Sequence, residues 1–260
     1  DKHSCKSMPF QFKNYLSESL IHVKHCIQKK YIDEKQAEYL ISIITKTQKE
    51  YCLNHNDYEK SNKFEKYSKI LSHNDIHCGN LLINDQYFQK NKGINYCSKN
   101  KDSFKLLKEN HSSSTFSNFL DLKIIDFEFA NFNIIGFDIV NYIVECFFDL
   151  FHEKYPFFSI KKDFKLLFDD EQYFSIYIKY LKKLSEKNAN LNIFDFDYDL
   201  YCQKKYFYFL IGLSGSFWSI IGILSISDDY SSKKSEFDFY LYLLKRFEIF
   251  DLYLEYTKDY

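Results

Sequence analysis

Two stretches constrain this chain more than anything else in it: HNDIHCGN at 73–80 and IIDFEFANFNIIGFD at 124–138. Asp75 stands five residues before Asn80, and an apolar run from Leu122 to Ile125 delivers Asp126. Three oxygen-bearing side chains so far apart in sequence can act together only if the fold gathers them. Short strands can do this. Lys69-Ile70-Leu71-Ser72 leads into His73, Leu81-Leu82-Ile83 follows Asn80, and the run at 122–125 ends on Asp126. Asp75 and Asn80 then share one loop, with Asp126 at the mouth of a neighbouring strand. Such a set suits metal-assisted phosphoryl transfer, in which one carboxylate steers a hydroxyl proton while an amide oxygen and a second carboxylate hold magnesium against ATP phosphates. Magnesium takes oxygen ligands and draws only one or two carboxylates from protein. A loop Asp more often caps a turn; Asn80 and Asp126 are what favour the catalytic reading of Asp75.

The rest of the chain reads as helix. Residues 11–30 place Tyr15, Leu16, Leu20, Val23 and Ile27 at helical spacing, and 33–48 open on Asp33 and Gln36, a capping box, with Ala37, Leu40, Ile41 and Ile44 on one face. Residues 54–68 read as loop or frayed helix. Residues 84–118 form a long polar insertion rich in Asn, Lys and Ser. The strands flanking it predict a hairpin under the reactive loop. After 134 the pattern is mostly helical: 135–149, an amphipathic helix over 170–186, an acidic-aromatic loop over 187–199, and helices over 200–226 and 236–256. No repeat and no domain linker is visible. The expected fold class is mainly α (α+β overall), a single domain of 260 residues with a small β-hairpin carrying the reactive loops.

Bulk properties exclude several classes. With 45% hydrophobic and 27% charged residues, the chain can build a core. A net charge of -1 gives no basic excess for nucleic acid. Aromatics reach 20%, which we attribute to base composition of the gene rather than to function. The seven cysteines (Cys5, Cys26, Cys52, Cys78, Cys97, Cys146 and Cys202) include no C-x-x-C pair. A zinc site or disulfide framework is therefore not expected, and a reducing, cytoplasmic setting is. Tyr206 to Ser227 carries no charge and is long enough to span a bilayer. Its serines and glycines, with a mean hydropathy of -0.41 for the whole chain, favour a buried helix and no stable membrane insertion.

The motifs resemble those of the choline/ethanolamine kinases, within the wider protein-kinase-like and aminoglycoside-phosphotransferase-like superfamily, the choline branch being slightly favoured. The residues that carry the resemblance are His73-Asn74-Asp75 with Asn80, Ile125-Asp126-Phe127-Glu128-Phe129, Asn133 through Phe137-Asp138-Ile139 to Asn141, and Glu153-Lys154-Tyr155-Pro156-Phe157-Phe158. The resemblance implies the C-terminal helical lobe of a protein-kinase-like fold. It implies ATP-dependent phosphorylation of choline or ethanolamine, the first step of phosphatidylcholine or phosphatidylethanolamine synthesis by the CDP route. Asp75 would be the catalytic base. Asn80 and Asp126 would bind Mg2+, with Glu128 assisting. His73 and Asp138 would hold the catalytic loop. Glu145, Trp218 and Tyr242 would bind the substrate ammonium, for which aromatic faces and a carboxylate are the available attractions. A homodimer is left open.

The sequence departs from the family pattern in two ways. Gly215 stands where a first Trp is expected and Leu150 where a Tyr is usual, so the aromatic cage is thinned. Neighbouring Phe and Tyr residues replace it, or choline binds weakly, or the substrate is the smaller ethanolamine. There is also no G-x-G-x-x-G among the six glycines and no run of strands in 1–69 to make a nucleotide-gripping N-terminal lobe. With Asp at position 1, the expectation is a fragment or truncated gene product. Other readings are a different small-molecule, aminoglycoside-like phosphotransferase and a non-catalytic kinase lobe.

Overall fold

The computed structural model describes residues 8–51, 69–83, 122–191, 197–232 and 237–258. The polar insertion at 84–118 and the segment 54–68 lie outside these, as do Cys5, Cys52 and Cys97. The remaining cysteines are free thiols.

Two helices open the chain, α1 (Met8–Gln28) and α2 (Glu34–Tyr51). The capping box forms as read: Gln36 N–H donates to Asp33 Oδ1 (2.7 Å) and Asp33 N–H to Gln36 Oε1 (2.9 Å), satisfying donors at the start of α2. Next come β1 (Lys69–Ser72), a 3-10 turn over Cys78–Asn80, β2 (Leu81–Ile83), β3 (Leu122–Ile124) and β4 (Asn131–Ile134). β2 pairs antiparallel with β3, Leu81 opposite Ile124, which is the hairpin predicted around the insertion. β1 pairs antiparallel with β4, Ser72 opposite Asn131. The two ribbons bracket the 73–80 loop between them.

The remainder is helical, as expected, with corrected bounds. α3 (Phe137–Glu145) stops before the predicted end at 149, because Phe147 N–H bonds the Val144 carbonyl and tightens the last turn into a short strand pair, β5 (Phe148–Asp149) with β6 (Ser159–Ile160). After a short α4 (Leu166–Asp169), α5 (Glu171–Leu191) runs further than the sequence pattern suggested, there being no Gly or Pro to stop it. α6 (Tyr198–Tyr201) starts where Asp197 caps the Leu200 N–H (3.0 Å). α7 (Lys204–Ser232) and α8 (Phe239–Tyr256) close the fold.

α7 contains the uncharged segment, Tyr206 to Ser227. Among the described residues it is the one helix long and apolar enough to cross a membrane, yet 78% of that window is buried inside the protein. It packs on α1, α3 and especially α8. The α7–α8 contact is close because small residues line it. A Cβ on Gly212 would stand 2.4 Å from the Tyr253 ring, and one on Gly215 would stand 2.9 Å from the backbone oxygen of Arg246. The core is thus a helical stack crowded with aromatic rings, and the two ribbons sit at its edge.

Candidate active site

Asp75 lies in a loop fixed from three sides. Asp138, in the first turn of α3, accepts the backbone N–H groups of His73 (2.9 Å) and Asn74 (2.8 Å) on its two carboxylate oxygens. The His73 ring links the loop to the β3 end. Its Nδ1 accepts the Asp75 N–H (3.3 Å), so Nε2 carries the proton and donates it to the Ile125 carbonyl (2.8 Å). Asn74 takes a left-handed backbone (φ 69°), a conformation Asn tolerates. Its side chain donates to the Phe129 carbonyl (2.8 Å) and accepts from Asn133 Nδ2 (2.8 Å), joining the loop to β4.

These contacts also place Asn80 and Asp126, the residues that the resemblance names as metal ligands. Ile125 N–H donates to the Asn80 carbonyl (3.0 Å), so Ile125 is held by Asn80 on one side and His73 on the other. Asp126 therefore emerges, at φ 63°, in a fixed relation to both. Asn80 Nδ2 donates to the Asp75 carbonyl (2.9 Å) and Asp75 Oδ2 (3.1 Å), leaving Oδ1, the atom a cation needs, out of both bonds. Asp126 is exposed, as is Glu128 further along the same loop. Among the described residues no three His, Cys, Asp or Glu side chains converge on a metal-sized space. The oxygen donors at hand, one amide and one free carboxylate, fit Mg2+, which keeps much of its shell for water and phosphate.

The electrostatics of Asp75 are unusual. Its pKa is raised to about 7, first by burial, then by the negative charges of Glu145 and Asp126, against the Asn80 hydrogen bond and Arg246. Beside it, His77 Nε2 lies 3.7 Å from Asp75 Oδ2, while His77 Nδ1 accepts the Gly79 N–H (3.1 Å). Burial pushes the His77 pKa down, so a neutral ring faces Asp75 with its N–H.

The proposed substrate residues fall into two clusters. Glu145, at the end of α3, meets Tyr242 from α8 through Arg246. Arg246 Nη2 donates to Glu145 Oε1 (2.5 Å) and Nε to the Tyr242 hydroxyl (2.9 Å), with its guanidinium 3.8 Å from the Phe148 ring centroid. Trp218, half-buried on α7, donates its indole N–H to Asn141 Oδ1 (2.9 Å) and packs edge-on against Phe129 (5.6 Å) and Phe217 (5.3 Å). Arg246, His77, Asn74 and Asn141 carry parts of this site that the sequence reading did not assign. Arg246 had a visible signal: an arginine four residues after Tyr242 on an apolar helix must find a buried partner.

The model of the choline/ethanolamine kinase family matches residues 5–251. The fold is also that of the solved choline kinase from Cryptosporidium parvum Iowa II, with a TM-score of 0.55 at 18% identity, over 100% of this chain and 59% of that one. The chain thus spans rather more than half the length of that enzyme. No curated protein sequence matches it. The family match covers nearly the whole sequence, from the first helix to α8, and on that ground the chain belongs to the choline/ethanolamine kinase family.

Proposed function

We propose that this chain takes part in transferring the ATP γ-phosphate to the hydroxyl of a small amino alcohol, choline or ethanolamine. The observation that carries this is a hydrogen-bonded set: Asn80 Nδ2 donates to Asp75 Oδ2 (3.1 Å), and Ile125, bonded to the Asn80 carbonyl (3.0 Å), presents Asp126 next to them, with Glu145 a further negative charge that raises the Asp75 pKa. An amino alcohol has a cation and a hydroxyl two carbons apart, and two neighbouring carboxylates can take one end each. Asp75 orients the hydroxyl and accepts its proton, aided by a pKa near the working pH. Asn80 and Asp126 are the residues that would hold Mg2+, which when bound supplies charge neutralisation along the phosphates. Leu82, Ile124 and Phe127 are exposed around them, apolar surface of the kind a purine ring packs on. Asp138 and His73 keep the loop in place.

The test is substitution in the full-length protein. Asp75→Ala and Asp126→Ala should each remove nearly all phosphoryl transfer to choline and ethanolamine while leaving a folded protein by circular dichroism. Turnover at the wild-type level in either variant would overturn the proposed roles.

A further inference from the structure

Two donors face the Asp75 carboxylate, and both aim at the same oxygen. Asn80 Nδ2 donates to Oδ2 (3.1 Å), and His77 Nε2 stands 3.7 Å from that atom. Among the described residues, Asn80 is the one side chain hydrogen-bonded to this carboxylate. An Asp carboxylate turns about a broad, two-fold torsion, so the side chain alone does not choose which oxygen faces outward. Donors at Oδ2 make that choice and leave Oδ1 with its lone pairs.

The His77 ring is held in a fixed orientation. Its Nδ1 accepts the Gly79 N–H (3.1 Å), so the proton of the neutral ring sits on Nε2, the nitrogen toward Asp75. Gly79 lets the ring lie this close: a Cβ there would stand 2.7 Å from His77 Cε1 and 3.2 Å from the Phe151 ring edge. At 3.7 Å the bond from Nε2 to Asp75 is not made. A shift of about 0.7 Å brings it within range, and catalytic hydrogen bonds are commonly long until the reacting complex forms and tightens them.

We propose that His77 is a positioning residue for the base: its Nε2–H closes on Asp75 Oδ2 as the reacting complex forms and locks Oδ1 toward the substrate hydroxyl. This rests on the amino-alcohol kinase reading above. The ring has two separable tasks, Nδ1 capping the Cys78–Asn80 turn and Nε2 addressing Asp75, and the proposal concerns the second.

Amide side chains separate the two tasks. Asn carries its oxygen near the place of Nδ1 and keeps the cap without the donor. Gln carries its nitrogen near the place of Nε2 and keeps the donor without the cap. The experiment measures kcat and KM of the full-length wild type, His77→Asn and His77→Gln for ethanolamine and choline with MgATP, and the Mg2+ concentration each needs. His77→Asn should lower kcat about tenfold or more, the worth of a hydrogen bond to a charged group, with KM within about twofold and the Mg2+ requirement unchanged. His77→Gln should recover most of that loss in spite of a lower melting temperature. A ring that only caps the turn gives the reverse, His77→Asn active and His77→Gln impaired, and that result overturns the proposal. Equal losses in both, or a raised Mg2+ requirement in His77→Asn, would show the effect passing through the turn and Asn80, and overturn it too. Should either amide variant not fold, Gly79→Ala displaces the flexible ring with its methyl group while keeping His77 and Asp75. It should lower kcat as His77→Asn does; wild-type kcat counts against the proposal. A wild type that phosphorylates neither amino alcohol overturns the amino-alcohol reading and the inference with it. Wild-type turnover that persists in His77→Asn overturns the inference alone.

Discussion

Asp75 is held in a form that costs the fold something and that suits the base role proposed for it. Its folded pKa of about 7 lies above the ordinary value of 3.8. Between those values the folded chain keeps a proton that the unfolded chain has released, so this group's contribution to stability is full below the unfolded pKa and is lost as pH rises through 7. Asp75→Asn should therefore melt at a higher temperature than wild type at about pH 8 and at the same temperature at about pH 4, while losing about 10²–10⁴ in turnover. Equal melting temperatures at both pH values would show that Asp75 is not strained. In the free enzyme, kcat/KM should fall below about pH 7 with a slope of one, as Asp75 takes up its proton; a flat profile down to about pH 5 would remove it as the base. Asp138 acts by geometry instead. Asp138→Ala leaves two backbone N–H groups without their acceptor, each costing about 1–3 kcal/mol, and should lower both melting temperature and kcat. The motif made Asp75, Asn80 and Asp138 legible in sequence. The tautomer of His73 and the bridging of Asn74 by Asn133 were not, because both depend on strands that meet only in the fold.

At the scale of elements, the contact between α7 and α8 decides what the pocket can contain. Gly215 faces the α8 backbone at a distance no side chain fits without movement. The absence of a tryptophan there is thus built into the helix pairing and is not a surface accident. Gly215→Ala gains about 1 kcal/mol in helix propensity but overpacks the contact by about 1–3 kcal/mol. Thermal unfolding should show a lower melting temperature; a raised one would mean α7 and α8 are not so tightly apposed. Which elements the sequence revealed follows the same physics. The β2–β3 hairpin was readable from apolar runs on either side of the insertion, and α2 from its capping box. β4, spelled NFNI, has weak strand character; Asn131 and Asn133 are buried there through hydrogen bonds with Asn74 rather than through their own propensity. The Arg246–Glu145 pair joins two helices a hundred residues apart, which no local pattern encodes.

At the scale of the molecule, one helical stack supports two ribbons and the loop that carries Asp75 and Asn80. The uncharged stretch within α7 shows why composition alone is ambiguous: the same segment would suit a bilayer, but here its apolar surface is met by α1, α3 and α8. The fold class was legible because helical periodicity dominates and the strands cluster at one motif. The family was legible from a short motif, and in the fold His73, Asn74, Asn80, Asn133 and Asp138 from that motif are hydrogen-bonded into one network around Asp75. The central claim is that Asp75, Asn80 and Asp126 serve phosphoryl transfer to an amino alcohol. ATP consumption by the full-length protein, followed by a coupled assay with and without ethanolamine and choline, tests it most directly. The expected result is ATP turnover that needs both Mg2+ and an amino alcohol, and that is nearly lost in Asp126→Ala. ATP turnover indifferent to the amino alcohol, or undiminished in Asp126→Ala, would contradict it.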